Sequence, residues 1–389
     1  MPVPEVIKFD NQVFDFAFHP TEDIVTAGLI TGHIESYRYG LEGNENLWKQ
    51  RLSKKSIRGL EYNIDGSMLY SISKDKSISA IDSITGATKL KLADAHEEPL
   101  NTLLVLNENM LATGDDAGVI KLWDNRSQKC TMTYTEHDDF IADMTYQKDK
   151  KTLIAVGGDG FLSTWDIRKP NVAAMSDCMD DELLSVELVK NGKKAVVGSQ
   201  DGVLSLWTYG DWGDYSDRYL GHPSSIDTIC KLDEDTICTG SSDGIIRIIS
   251  ILPNKFEGVI GDHGEEFPIE RIRLADNKKY VGSCAQDNGI HFWDVAHLFE
   301  EDDEEDEDSE EEVSADRDVA DEEEEVVKAD DEDDEQPVIK KDENDGSEDS
   351  DDSDDEDTKK QKRKRNKKAE ERAAKQPRKQ VPSGFFDDL

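Results

Sequence analysis

Four histidines stand about two dozen residues ahead of an aspartate: His96 before Asp116, His137 before Asp159, His222 before Asp243 and His263 before Asp287. An imidazole held by a carboxylate is the working part of a general base. Its fourfold recurrence points elsewhere, because a catalyst needs one such site and a scaffold needs many. No Gly-x-Ser-x-Gly elbow, Gly-x-x-x-x-Gly-Lys phosphate loop or His-Glu-x-x-His helix accompanies the pairs. Cys130, Cys178, Cys230, Cys238 and Cys284 show no Cys-x-x-Cys spacing, so they read as reduced core thiols rather than zinc ligands or a disulfide framework. The pairs are expected to be structural, with no enzyme activity, cofactor or metal.

A repeat must position them. Tyr37, Ile81, Trp123, Trp165, Trp207, Ile249 and Trp293 occupy one aligned slot at separations of 44, 42, 42, 42, 42 and 44 residues. A period in the low forties marks a propeller of four-stranded units. Each slot closes an alternating strand such as Val119-Ile120-Lys121-Leu122-Trp123, entered through a Gly-bearing turn. Strands a, b and c are predicted in seven units from Val13 onward, and an outer strand d in six. The seventh unit has no strand d, and an unpaired strand, Val3 to Phe9, is left over upstream. An open edge is an aggregation template, so this strand is predicted to complete the seventh blade and close the ring.

Three slots continue as Trp-Asp: Trp123-Asp124, Trp165-Asp166 and Trp293-Asp294. Together these residues resemble the WD-repeat β-propeller family over residues 3–298. The resemblance implies that the matching His and Asp bond across a blade with a strand-b Ser or Thr and the slot Trp. Trp123, Trp165, Trp207 and Trp293 are then structural. Unit five lacks the His, and units one and two lack both His and Trp, so apolar packing should hold those blades.

The segment from Thr208 to Pro223 is rich in aromatics and aspartates, and Trp212 and Tyr215 within it are candidate partner anchors; the alternative is a long loop whose aromatics fold back on the blade. Near the central channel, Arg58, Asn101, Asp227 and Glu270 are polar where other blades carry Phe14, Ile141 and Leu184, which makes them candidates for a recognition surface. Gly210-Asp211-Trp212-Gly213-Asp214, Gly221-His222-Pro223, Ser242-Asp243-Gly244-Ile245-Ile246-Arg247 and Leu252-Pro253-Asn254-Lys255 are similar to the nucleolar WD repeat-containing protein 55 and fungal Jip-type family. That resemblance implies a role in ribosome assembly and ribosomal RNA maturation.

Beyond residue 299 the composition changes abruptly. Residues 300–358 carry 36 acidic and 4 basic side chains, and residues 359–380 carry 2 acidic and 12 basic. Self-repulsion and scarce apolar surface predict a disordered polyanion. Lys359, Lys360, Lys362, Arg363, Lys364, Arg365, Lys367 and Lys368 form a nuclear-import type cluster that also suits RNA phosphates. Ser309, Ser347, Ser350 and Ser353 match acidophilic kinase sites. Phe385, Phe386 and Leu389, in residues 381–389, could anchor in a groove of another protein.

The expected organisation is an all-β, seven-bladed propeller over residues 1–299 followed by the three tail segments. No run approaches the roughly 18 apolar residues of a membrane helix, and the first residues lack a signal-peptide pattern, so a monomeric protein of the nucleus and nucleolus is expected, with no membrane association. The leading function is a non-enzymatic scaffold contacting ribosome-assembly proteins or pre-ribosomal particles, with weak or indirect RNA contact through the basic segment. Two alternatives are a substrate receptor of a cullin RING ubiquitin ligase, through Trp123-Asp124-Asn125-Arg126 and Trp165-Asp166-Ile167-Arg168, and a histone-binding chromatin factor.

Overall fold

A computed structural model of the chain describes residues 2–264 and 267–299. The import cluster, the kinase-type serines and the terminal Phe385, Phe386 and Leu389 lie outside the described residues. Within them the chain forms seven four-stranded antiparallel sheets, each a blade. The innermost strands, Val13–Phe18, Ile57–Tyr62, Leu100–Asn107, Ile141–Gln147, Leu183–Val189, Ile226–Lys231 and Ile269–Leu274, pack on one another around the ring.

Burial follows position in the blade. Strand b, flanked by a and c and covered on both faces by neighbouring blades, is buried at every residue in Ile24–Leu29 and Thr152–Gly157. Outer strands such as Glu45–Arg51 face solvent, with no residue fully buried. The apolar clusters lie between blades rather than inside one: Ile120, Leu122 and Tyr134 of blade three meet Leu153, Ala155 and Trp165 of blade four in a single cluster. The turn between b and c needs glycine for two reasons. Gly118 has φ +82°, and a Cβ there would lie 2.5 Å from the His137 carbonyl oxygen, so the chain entering the next blade packs directly on the turn.

Blade seven closes as expected. Ile7–Lys8 pairs antiparallel with Gly289–Asp294, in register Ile7↔Ile290 and Lys8↔Gly289, and the Phe9 N–H donates to Asn288 O at 2.9 Å. The paired stretch is shorter than the predicted Val3 to Phe9, because Pro2 and Pro4 have no N–H for a ladder. Side chains carry the rest of the closure: Ile7 is 3% and Phe9 9% exposed, and Phe9 meets Tyr37 of blade one edge-on at 5.6 Å.

Candidate functional site

The histidines fall into three arrangements. In blade seven His263 Nδ1 donates to Asp287 (2.9 Å), and its Nε2 shares the Ser283 hydroxyl (2.7 Å) with Trp293 Nε1 (2.7 Å). Blade three builds the same network from His96, Thr113 and Trp123, but its carboxylate is Asp115 at 2.8 Å, not Asp116. The turn position six residues before the slot is Ala117 here, so the aspartate ending strand b substitutes for it. Asp116 instead faces Arg58 at 3.5 Å.

In blade four His137 reaches Asp159, with both carboxylate oxygens at 3.0 Å, but the hydroxyl comes from Ser163 on strand c. The strand-b position opposite Ser163 is Ala155. Trp165 Nε1 is buried without a hydrogen bond. Blade five also moves the hydroxyl to strand c, with Val197 facing Ser205, but there the hydroxyl accepts from the slot Trp207 Nε1 at 3.0 Å.

In blade six His222 and Asp243 are not bonded. Arg247, four residues after Asp243, takes both carboxylate oxygens at 3.1 and 2.6 Å, while His222 keeps Thr239 (2.8 Å) and its Nδ1 is buried without a partner. Burial, reinforced by the Arg247 cation, lowers His222 to about 4, so it is neutral at physiological pH.

These imidazoles are bound into the sheets, each less than 9% exposed. Blade seven adds His291, whose Nε2 lies 2.8 Å from Asp287. His263, Asp287 and His291 present ligand atoms within 4.8 Å of one another, a spacing that could hold a metal. The carboxylate already accepts from both rings, so an ion would have to displace the hydrogen bonds that fix the blade. Burial raises Asp287, but the two imidazoles outweigh it and hold the carboxyl well below its ordinary range.

The central channel, a cavity of about 640 Å³, gathers charges that the strand-a pattern concealed. Asp15, 1% exposed, accepts the Leu60 N–H at 2.7 Å and faces Arg273 (3.2 Å) and Arg271 (3.4 Å) of blade seven. Glu61 accepts the Val105 N–H at 2.9 Å and Asp143 the Val186 N–H at 3.1 Å, so these side chains tie neighbouring blades together. Burial pushes Glu61 and Glu187 up to about 7 and also raises Asp143. They occupy the third and fifth places of the innermost strands, whose side chains alternate toward the channel.

Of the four polar candidates, the structure joins two. Arg58 Nη1 donates to Asn101 Oδ1 at 2.7 Å, Asn101 Nδ2 donates to Ile141 O at 2.8 Å, and both residues line the channel. Asp227 and Glu270 stay in separate networks, the former accepting from Ser225 and Ser242, the latter from Gln12 and Gln286. The apolar counterpart in blade four is Ala142; Ile141 is the first residue of its strand and is buried.

Trp212 is not an exposed anchor. It is 7% exposed, packs edge-on against Tyr209 at 5.1 Å and joins a cluster with Val156, Leu162 and Trp207. Tyr215 is half-buried beside Trp207 at 6.2 Å. The aromatics of this loop fold back on blades four and five because strand Ala174–Met175, the outer strand of blade four, is too short to cover the junction. Arg126 and Arg168 are 73% and 67% exposed at the side chain, and each pairs with the aspartate two residues before it, Asp124 and Asp166.

Comparison with known proteins agrees with this architecture. The WDR55 family profile matches residues 4–298. WD repeat-containing protein JIP5 of Coprinopsis cinerea is 40% identical over 311 residues, covering 77% of this chain and 76% of that protein. WD repeat-containing protein 55 of Arabidopsis thaliana is 35% identical over 296 residues (76% and 83%), and that of Homo sapiens 33% over 297 (76% and 77%). With the seven blades, the ring closure and the repeated His networks in place, the chain belongs to the WDR55 family of WD-repeat β-propellers.

Proposed function

We propose that this protein is a non-enzymatic interaction scaffold of nucleolar ribosome assembly, acting in ribosomal RNA maturation through ribosome-assembly proteins or pre-ribosomal particles. The observation that carries the reading is the commitment of His96, His137, His222 and His263 to hydrogen bonds within their blades in a WDR55-family propeller, followed in the same chain by an acidic tract and a basic cluster. The propeller offers surfaces, the polyanion keeps basic partners soluble, and the cluster from Lys359 to Lys368 supplies nuclear entry and phosphate attraction. Arg126 and Arg168 are engaged by their own aspartates, which gives the ubiquitin-ligase reading no support beyond the motif.

The test is sedimentation of nucleolar extract with affinity recovery of the tagged full chain. Co-migration with pre-ribosomal particles is expected. Replacing the lysines and arginines from Lys359 to Lys368 with Gln should move the protein to the cytoplasm with its propeller intact. Absence from pre-ribosomal fractions, or recovery with core histones alone, overturns the proposal.

A further inference from the structure

In a propeller of antiparallel blades every turn between strands a and b opens on the same face. In blades one, two, three and six these turns, residues 19–23, 63–67, 108–109 and 232–235, hold seven acidic side chains and no lysine or arginine. Blades four and five reverse the sign. Residues 148–151 and 190–193 hold Lys148, Lys150, Lys151, Lys190 and Lys193 against Asp149 alone. Blade seven is mixed, with Asp276, Lys278 and Lys279. A chain of net charge −42 thus gathers one basic arc on an otherwise acidic face.

The two turns form one surface. Gly192 of blade five sits so close to the Gln147 side chain of blade four that a Cβ there would collide with it. Tyr209, which follows strand c of blade five, donates its N–H to Lys193 O at 2.9 Å and shares a hydrogen bond with the Thr152 hydroxyl of blade four at 2.6 Å. Its ring lies 3.4 Å from Lys150 Nζ. The cations differ in what they already hold. Lys190 pairs with Asp235 at 2.7 Å, and Lys150 caps Tyr209. Lys148, Lys151 and Lys193 are exposed, and among the described residues their ammonium groups have neither an ion pair nor a hydrogen bond. Asp211 and Asp214 on one side and Asp233, Glu234 and Asp235 on the other border the arc.

We infer that the a–b turns of blades four and five form a contact surface for the phosphate backbone of RNA, with Lys148, Lys151 and Lys193 as the phosphate-binding cations. Free ammonium groups spread over two blades suit a ligand whose charge repeats along its length, and a lysine meets a phosphate as a point charge on a flexible stem. A nucleic-acid strand supplies one such charge per nucleotide whatever its sequence. The aromatics of these turns are already engaged, Tyr209 under Lys150 and Trp212 at 7% exposure, so no ring is free to stack on a base or grip a peptide side chain. Recognition therefore goes to the backbone and carries no sequence preference. The acidic turns across the ring do not cancel the arc, because charges more than about 8 Å away are largely screened at physiological ionic strength. The choice of RNA rests on the ribosome-assembly reading, but binding by the purified protein stands or falls apart from co-migration with pre-ribosomal particles.

The probe is fluorescein-labelled oligouridylate of about 20 nucleotides, longer than a single-strand site of ordinary size. It is titrated into the full chain carrying Gln in place of the lysines and arginines from Lys359 to Lys368, so that the tail cluster adds nothing. Saturable anisotropy is expected, equal for oligocytidylate and falling linearly with the logarithm of salt. Lys148→Gln with Lys151→Gln and Lys193→Gln should lower the salt slope by about 2 and weaken binding about ten-fold or more at about 0.1 M salt. Lys54→Gln with Lys55→Gln and Lys74→Gln removes three exposed, unpaired lysines from the opposite face, for the same change in net charge, and should alter neither quantity. Thermal melting, expected to be unchanged for exposed turn lysines, separates lost binding from lost fold. No binding by the parent chain, or equal losses in the two triple variants, overturns the inference. So does displacement of the RNA by polyglutamate at equal charge concentration, which would mark the arc as a site for acidic protein.

Discussion

Glu187 offers a quantitative test of the channel. Its carboxylate is half-buried on the innermost strand of blade five, where burial, with Asp143 adding repulsion, outweighs the Leu188 N–H and raises it from 4.5 to about 7. The folded state therefore holds the proton more tightly than the unfolded state. Stability from this group is full below the unfolded value and is lost as pH rises through the folded one, so the penalty develops between about 4.5 and 7. A shift of that size corresponds to about 3 kcal/mol at pH 8 and less than about 1 kcal/mol at pH 5. Glu187→Gln preserves shape and removes the charge. At roughly 2.1 cal/mol/K of unfolding entropy per residue over some 300 residues, the variant should melt about 5 °C higher than wild type at pH 8 and about 1 °C higher at pH 5. Paired calorimetric scans of the two proteins at both pH values measure the difference, which cancels every other titrating group. A melting difference that is the same at pH 5 and pH 8, or a less stable variant at pH 8, would refute the channel electrostatics drawn here.

Three further outcomes follow from contacts already described. Phe9→Ala should destabilise the propeller by about 3 to 5 kcal/mol in urea unfolding, since it empties the junction that closes the ring; truncation after Glu300 should leave the transition unchanged. Arg247→Gln should release Asp243 to His222, so the imidazole titration followed by NMR should move up from about 4 toward the ordinary histidine range. Trp212→Ala should lower stability by about 3 kcal/mol or more, as expected of a core residue, where an exposed anchor would leave the melting point unmoved.

The sequence made the scaffold readable where one residue type recurs at one spacing. Tyr37 through Trp293 fixed seven blades, and the missing outer strand of the seventh predicted the closure by Ile7. The His networks were readable as a set but not one by one. Asp115 replaces Asp116 because the turn slot holds Ala117, and Asp243 leaves His222 because Arg247 is a better partner for a carboxylate. Neither exchange shows in spacing alone; both follow from which side chain reaches the oxygen first. Asp15, Glu61, Asp143, Glu187, Arg271 and Arg273 escaped notice for another reason. Their charges lie on different blades, and only ring geometry brings residues more than 250 positions apart, such as Asp15 and Arg273, to 3.2 Å. Placing the seven innermost strands under one another and reading their third and fifth positions would have revealed them. Trp212 was ambiguous because burial of a loop aromatic depends on the length of the neighbouring outer strand.

The pairing of Ile7 with Ile290 also sets an order of events during synthesis. The closing strand is made before the blades it joins, and its partner is made 283 residues later. At about 5 to 20 residues per second, roughly 15 to 60 s pass in which Ile7 and Phe9 have no place to bury. Six blades can stack in that interval through contacts between sequential neighbours, as in other repeat architectures, while the ring stays open. The last join is then a capture, by the newest blade, of a segment made before the first one. A nascent protein of this design needs the segment from Ile7 to Phe9 kept from other open edges until the seventh blade appears.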